Sequence, residues 1–158
     1  MDIKPDLPTF EDGSATEFID VVVRGTQPQA ADGQYGRGLE VNAQASLRCV
    51  RCRVENCPDA GVVIELEGAS AKIEDLIVED IFGGDTSGGG IGVVAGAGAH
   101  LDLARARVER CMTVGVFVDQ EGTMAALEDL AVLQTRARQS DGLFGRGIDV
   151  TAGARATL

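Results

Sequence analysis

The chain repeats an irregular loop. "DGQYGRG" at Asp32 to Gly38 returns as "DGLFGRG" at Asp141 to Gly147, 109 residues later, with five of seven letters identical. A shift of 54 or 55 residues sets Gly36-Arg37-Gly38 on Gly90-Ile91-Gly92 and then on Gly145-Arg146-Gly147. The same shift places Val54-Glu55-Asn56-Cys57 on Val108-Glu109-Arg110-Cys111 and "AKIEDLIVED" (71–80) on "AALEDLAVLQ" (125–134). It also brings Asp20, Asp75 and Asp129 into one column. Self-similarity at a fixed period marks stacked units, none of which hides its apolar face alone.

Each unit divides again. Val23, Val54, Val78, Val108 and Val132 are separated by 31, 24, 30 and 24 residues. The extra six or seven residues fall in three loops at one phase of the repeat, 25–37, 81–91 and 134–146. Between loops the apolar letters alternate, as in Ala45, Leu47, Cys49 and then Cys52, Val54, or Ala99, Leu101, Leu103 and then Ala106, Val108. Period two predicts half-buried strands, and the slip in phase predicts a corner where inward parity resets. Gly38, Gly61, Gly92, Gly115 and Gly147 stand where a turn or a close backbone approach is expected.

These features predict an all-β fold: a single-stranded right-handed parallel β-helix, or β-solenoid, of about five coils of ~24 residues, every second coil with a longer loop. Residues 15–158 form this unit, and 1–14 read as an N-terminal cap or extension. The five valines are expected to stack as one interior file. The repeat is under way at Phe18 and stops within "GARATL", which predicts either part of a longer array or self-association through an uncapped C-terminal rung.

The stretches "GIGVVAGAGAHLDL" and "GIDVTAGARATL" resemble the right-handed parallel β-helix repeats of the pectin-lyase-like superfamily, most nearly its uncharacterised bacterial surface tandem-coil proteins. That resemblance implies a β-helix over residues 15–158. It implies no single activity, because the superfamily holds polysaccharide lyases, hydrolases, phage tailspikes and non-catalytic adhesins. No position here matches the clustered Asp, Arg, Lys or His of its enzymes.

With 14 basic against 25 acidic residues the net charge is −11, which argues against nucleic acid or an anionic membrane surface as partner. No apolar run reaches the length of a membrane span, and "MDIKPDLPTF" lacks the apolar core of a secretory signal. Cys49, Cys52 and Cys57 form C-x2-C-x4-C, with Cys111 as a fourth candidate for zinc. Cys57 and Cys111 fall two rungs apart, roughly 9.6 Å, too far for one metal or one disulfide. All four are therefore expected as small buried hydrophobes. His100, the single histidine, aligns with outward positions and lacks a catalytic or ligating partner. "GGDTSGGG" lacks the Lys and following helix of a phosphate loop.

Two acidic columns, Glu55/Glu79/Glu109 and Asp20/Asp75/Asp129 with Glu74 and Glu128 beside it, read as a solvated face with turn-forming Asp. No cofactor and no metal site is expected, calcium between rungs being the one alternative these columns leave. The loop edge supplies the ligand-binding candidates: Asp32, Tyr35, Arg37, Asp85, Asp141, Phe144 and Arg146. An aromatic beside a guanidinium suits sugar stacking or cation–π contact, and equally suits an Arg that holds down its own loop. The expected function is a non-enzymatic binding or structural module at the bacterial cell surface, extracellular or in the envelope, contacting glycan or protein. The rival is a polysaccharide-acting lyase or hydrolase using Asp85 and the acidic columns.

Overall fold

The computed structural model of the chain describes residues 9–10, 13–28, 36–83, 89–138 and 141–158. Among these, fourteen strands follow in order: β1 Thr9–Phe10, β2 Ala15–Ile19, β3 Val22–Arg24, β4 Leu39–Asn42, β5 Ser46–Val50, β6 Arg53–Glu55, β7 Ala60–Glu65, β8 Ser70–Ile81, β9 Ile91–Gly96, β10 His100–Cys111, β11 Val114–Val118, β12 Met124–Leu133, β13 Arg146–Val150 and β14 Arg155–Thr157. They build two sheets. The six-stranded sheet runs β1-β4-β7-β9-β11-β13, and the eight-stranded sheet runs β14-β12-β10-β8-β5-β2 with β3 and β6 alongside. All strand pairs are parallel, and the described residues contain no helix.

The structure corrects the expected architecture. In place of a single-stranded right-handed β-helix of the pectin-lyase-like kind, the chain forms two stacked parallel sheets. The physical reason lies at the phase slips. Asp75 (φ 58°) and Arg105 (φ 54°) are left-handed residues in the middle of twelve-residue strands, where they bend β8 and β10 without ending them. A slip in inward parity is thus a bulge-like bend inside one sheet, not a boundary that opens a further face. At Arg51 (φ 55°) the same bend separates β5 from β6, yet both pair with β8.

The register follows the repeat. Val23 pairs with Val54, Val54 with Val78, Val78 with Val108 and Val108 with Val132. The first four are buried and Val132 is partly buried. Facing this file is a file of glycines. A β carbon on Gly38, Gly61, Gly92 or Gly115 would lie 2.2 to 2.5 Å from Cγ1 of Val54, Val78, Val108 or Val132 respectively. It would also lie 2.4 to 2.6 Å from the carbonyl oxygen of the next glycine in the file. These glycines serve close approach, while the positive φ falls two residues earlier at Gly36, Gly90 and Gly145.

Bends stack as well. One corner file reads Asp20, Arg51, Asp75, Arg105, Asp129, all with positive φ. Asp tolerates that region better than most residues, and the arginines between are held by their neighbours. Arg51 Nε donates to Asp20 Oδ1 at 2.6 Å and Arg105 Nε to Asp75 Oδ1 at 2.7 Å. At the next corner Arg110 Nε donates to Asp80 Oδ1 at 2.7 Å. Hydrogen bonds from these arginines hold the carboxyls of Asp20, Asp75 and Asp80 below the usual range.

Two predictions follow from these files. Gly92→Ala, with no room for a β carbon, is expected to cost about 3 kcal/mol. Gly147→Ala, whose nearest new neighbour is Val132 at 3.8 Å, is expected to stay within about 0.5 kcal/mol. Urea midpoints compare the two, and equal losses would refute the glycine file. The depressed carboxyls contribute stability above their unfolded pKa values near 4, and it is lost as pH falls through their lower folded values. Melting temperature is therefore expected to fall below about pH 4, and less steeply in high salt because these pairs are exposed.

Candidate functional site

In a sheet with one solvated face the strands alternate apolar and polar; sheets covered on both faces give near-continuous apolar runs. β7, β9 and β11 are of the second kind, reading "AGVVIE", "IGVVAG" and "VGVFV". Their inward residues, Val62, Val93 and Val116, join the main core. Their outward residues form a second cluster of Ala60, Val63 and Val94, with Ile91 and Phe117 partly buried against it. This outer panel is three strands wide.

Ion pairs bracket it. The outward file Glu40, Val63, Val94, Phe117, Asp149 begins and ends on a carboxylate. Its neighbour runs Ala60, Ile91, Val114, Arg146. At the far side Arg37 pairs with Glu40 at 2.7 Å, and also with Asp59 at 3.3 Å and Glu65 at 3.5 Å. Burial disfavours the Arg37 charge, but these three carboxylates outweigh it and raise its pKa. At the near side Arg146 pairs with Asp149 at 2.5 Å.

The last loop stands over that near side. Asp141 ties its tip, accepting from the Leu143 N–H at 3.0 Å and from Arg138 Nε at 3.1 Å. The Arg138 hydrogen bond is the main reason its carboxyl lies below the usual range. Phe144 lies between two guanidinium groups, with Arg138 5.2 Å and Arg146 5.7 Å from its ring centre. The N–H groups of Gly145 and Arg146 both donate to the Thr113 carbonyl, at 2.9 and 3.2 Å, and anchor the loop just before β11. Between loop and panel lies a groove of ≈ 350 Å³ whose lining includes Phe144, Phe117, Ile91, Val114, Arg146 and Asp149.

Of the seven loop candidates, the structure brings Phe144 and Arg146 to this groove, uses Asp141 to tie the tip of the same loop, and sets Arg37 at the opposite side of the panel. Asp32, Tyr35 and Asp85 lie outside the described residues. Phe117 and Ile91 were not among the candidates; their signal was the unbroken apolar runs of β9 and β11.

The acidic columns are engaged by arginine. Glu79 and Glu109 are buried at 7% exposure, not solvated as expected. Arg110 bridges both, Arg53 reaches Glu79, and Arg107 holds Glu109 at 2.5 Å. The Arg107 hydrogen bond leads in lowering the Glu109 carboxyl, the opposite of the upward shift a general acid needs. Among the described residues no group of three or more His, Cys, Asp or Glu is arranged to hold a metal. Among the described residues no helix is long and apolar enough to cross a membrane.

The cysteines need a second correction: Cys49 and Cys52 form a disulfide, with Cα atoms 6.2 Å apart. Three residues apart in a regular strand they would face opposite ways. The left-handed bend at Arg51 resets the parity, so both point inward. Cys57 and Cys111 are free and buried, and burial pushes the Cys111 thiol up to about 12.

No family model, curated protein or solved structure matches the chain, so the resemblance to pectin-lyase-like repeat proteins is not upheld. The cysteine assignment is open to a direct check. Alkylation of native protein at pH 8 is expected to label none of the four. Unfolding without reductant should expose two, Cys57 and Cys111, and reduction the remaining pair. Four labels in unreduced, unfolded protein, read by mass spectrometry, would refute the disulfide.

Proposed function

We propose that this chain is a non-enzymatic binding module that works outside the reducing cytosol, extracellular or in the cell envelope. Its groove takes the apolar face of a ligand, with glycan as the leading class. The observation that carries the reading is that two aromatics, Phe144 and Phe117, line one groove with the apolar Ile91 and Val114 and the charged Arg146 and Asp149. A sugar ring offers the matching surface: a C–H face for the aromatics and hydroxyls for Arg146 and Asp149. Phe144 remains 45% exposed although two arginines stack near it, so the loop is held without its aromatic being used up. A wall fixed before binding loses little freedom when a ligand arrives.

The Cys49–Cys52 disulfide supports the compartment, because such bonds persist where thiols are not kept reduced. Self-association through β13 belongs to the same proposal. Ile148 and Val150 continue files that are buried on the neighbouring strand, at Val116 and Val118, yet are 37% and 42% exposed.

A glycan array read with wild-type protein and with Phe117→Ala/Phe144→Ala tests the groove. Hits are expected to weaken about tenfold or more in the variant, equivalent to ~1.4 kcal/mol. Unchanged binding would remove the groove from the function. Far-UV circular dichroism of the variant separates loss of binding from loss of fold.

A further inference from the structure

The outer face of the eight-stranded sheet carries a trough of ≈ 500 Å³ on the strands β2, β5, β8 and β10. Two rows of side chains cross it. One reads Ala15, Ser46, Ser70, His100; the other, two residues further along each strand, reads Glu17, Arg48, Lys72, Asp102. The second row has the sign order minus, plus, plus, minus. Arg48 and Lys72 are therefore direct cross-strand neighbours of like charge, an arrangement that destabilises a sheet unless something lies between them.

The corner file of this protein alternates sign, Asp20, Arg51, Asp75, Arg105, Asp129. Where like charges do stack, as at Glu79 and Glu109, a group of opposite sign bridges them, Arg110. Arg48 and Lys72 have no such bridge among the described residues. Each has a carboxylate of its own instead: Arg48 pairs with Glu17 on β2, and Lys72 lies 3.4 Å from Glu74, two residues along β8. The hydroxyls of Ser46 and Ser70, on the same face and ~6.6 Å along the strands, have no partner among the described residues.

We propose that Arg48, Lys72, Ser46 and Ser70 form a site for one compact oxyanion, a sulfate, phosphate or carboxylate group. Measured across the strands, a group midway between Arg48 and Lys72 would sit ~2.4 Å to the side of each and ~7.2 Å from the strand axes of Glu17 and Asp102, and it would compete with Glu17 and Glu74 for the two cations. The flanking carboxylates and the net charge of −11 select against extended polyanions. The groove of the six-stranded sheet is a different surface, so either site stands if the other fails.

The test is a titration of ¹⁵N-labelled protein with inorganic sulfate at ionic strength held constant with sodium chloride. Amides of Ser46, Arg48, Ser70 and Lys72 are expected to shift saturably. Arg48→Gln/Lys72→Gln should weaken the apparent Kd about tenfold, and Ser46→Ala/Ser70→Ala about threefold. These side chains stand on the outer face, and unchanged far-UV circular dichroism confirms that both variants fold. A monosulfated monosaccharide binding more tightly than inorganic sulfate assigns the site to a pendant group, and equal affinity assigns it to the free ion. Identical titrations in wild type and both variants would overturn the proposal, as would equal shifts from chloride alone or tighter binding of a sulfated polysaccharide.

Discussion

The contact on which this structure depends is that of a valine methyl against a glycine α carbon. At Gly92 a β carbon would meet Val108 of its own layer at 2.4 Å and the Gly115 carbonyl of the next layer at 2.5 Å. The space is closed from two directions at once. In a parallel stack each layer inherits the neighbours of the layer before it, so a residue that fits at one level is required again at the next. This explains why glycine recurs opposite valine through four levels, and why so small a side chain file suffices for the interior. A chain with 4% aromatics and no Trp has little bulk to fill a wide core, and the glycine file removes the need for one.

Stacking imposes the same discipline on charge. A carboxylate at a bend is followed ~4.8 Å later by whatever occupies the same bend on the next strand. With 25 acidic residues against 14 basic ones, chance alone would pile like on like. Arginines placed at Arg51, Arg105 and Arg110 answer this at the corners, and Arg53, Arg107 and Arg110 answer it along the Glu55/Glu79/Glu109 file. The exposed pairs among them, such as Asp20 with Arg51, add little net stability. Their effect is on register, because a strand slipped by one residue would carry each arginine off its carboxylate and turn the apolar file outward.

Much of this register was legible before any coordinates. The 54-residue repeat set Val54 beside Val78 and Val108, and the structure pairs them so. The number of sheets was not legible, because alternation reports which side of a strand a residue faces and not whether a bend ends the strand. Asp75 and Arg105 show the ambiguity: both reset parity, and both sit inside continuous strands. The Cys49–Cys52 bond was hidden for a related reason. Their equivalents Leu103 and Ala106 showed that both positions face inward, but two inward cysteines on either side of a bend read equally as core. At the candidate site, Phe144 and Arg146 stood out because their loop was duplicated. Phe117 stood in an ordinary strand, and only the absence of polar letters in "VGVFV" marked its face as covered.

The outermost layer of the stack leaves the apolar files uncovered. Ile148 and Val150 carry the apolar files past Val116 and Val118, so any layer laid against them gains the burial that every inner layer enjoys. The self-association proposed above would therefore rest on these apolar files, since exposed ion pairs are weak and salt-screened while apolar burial is not.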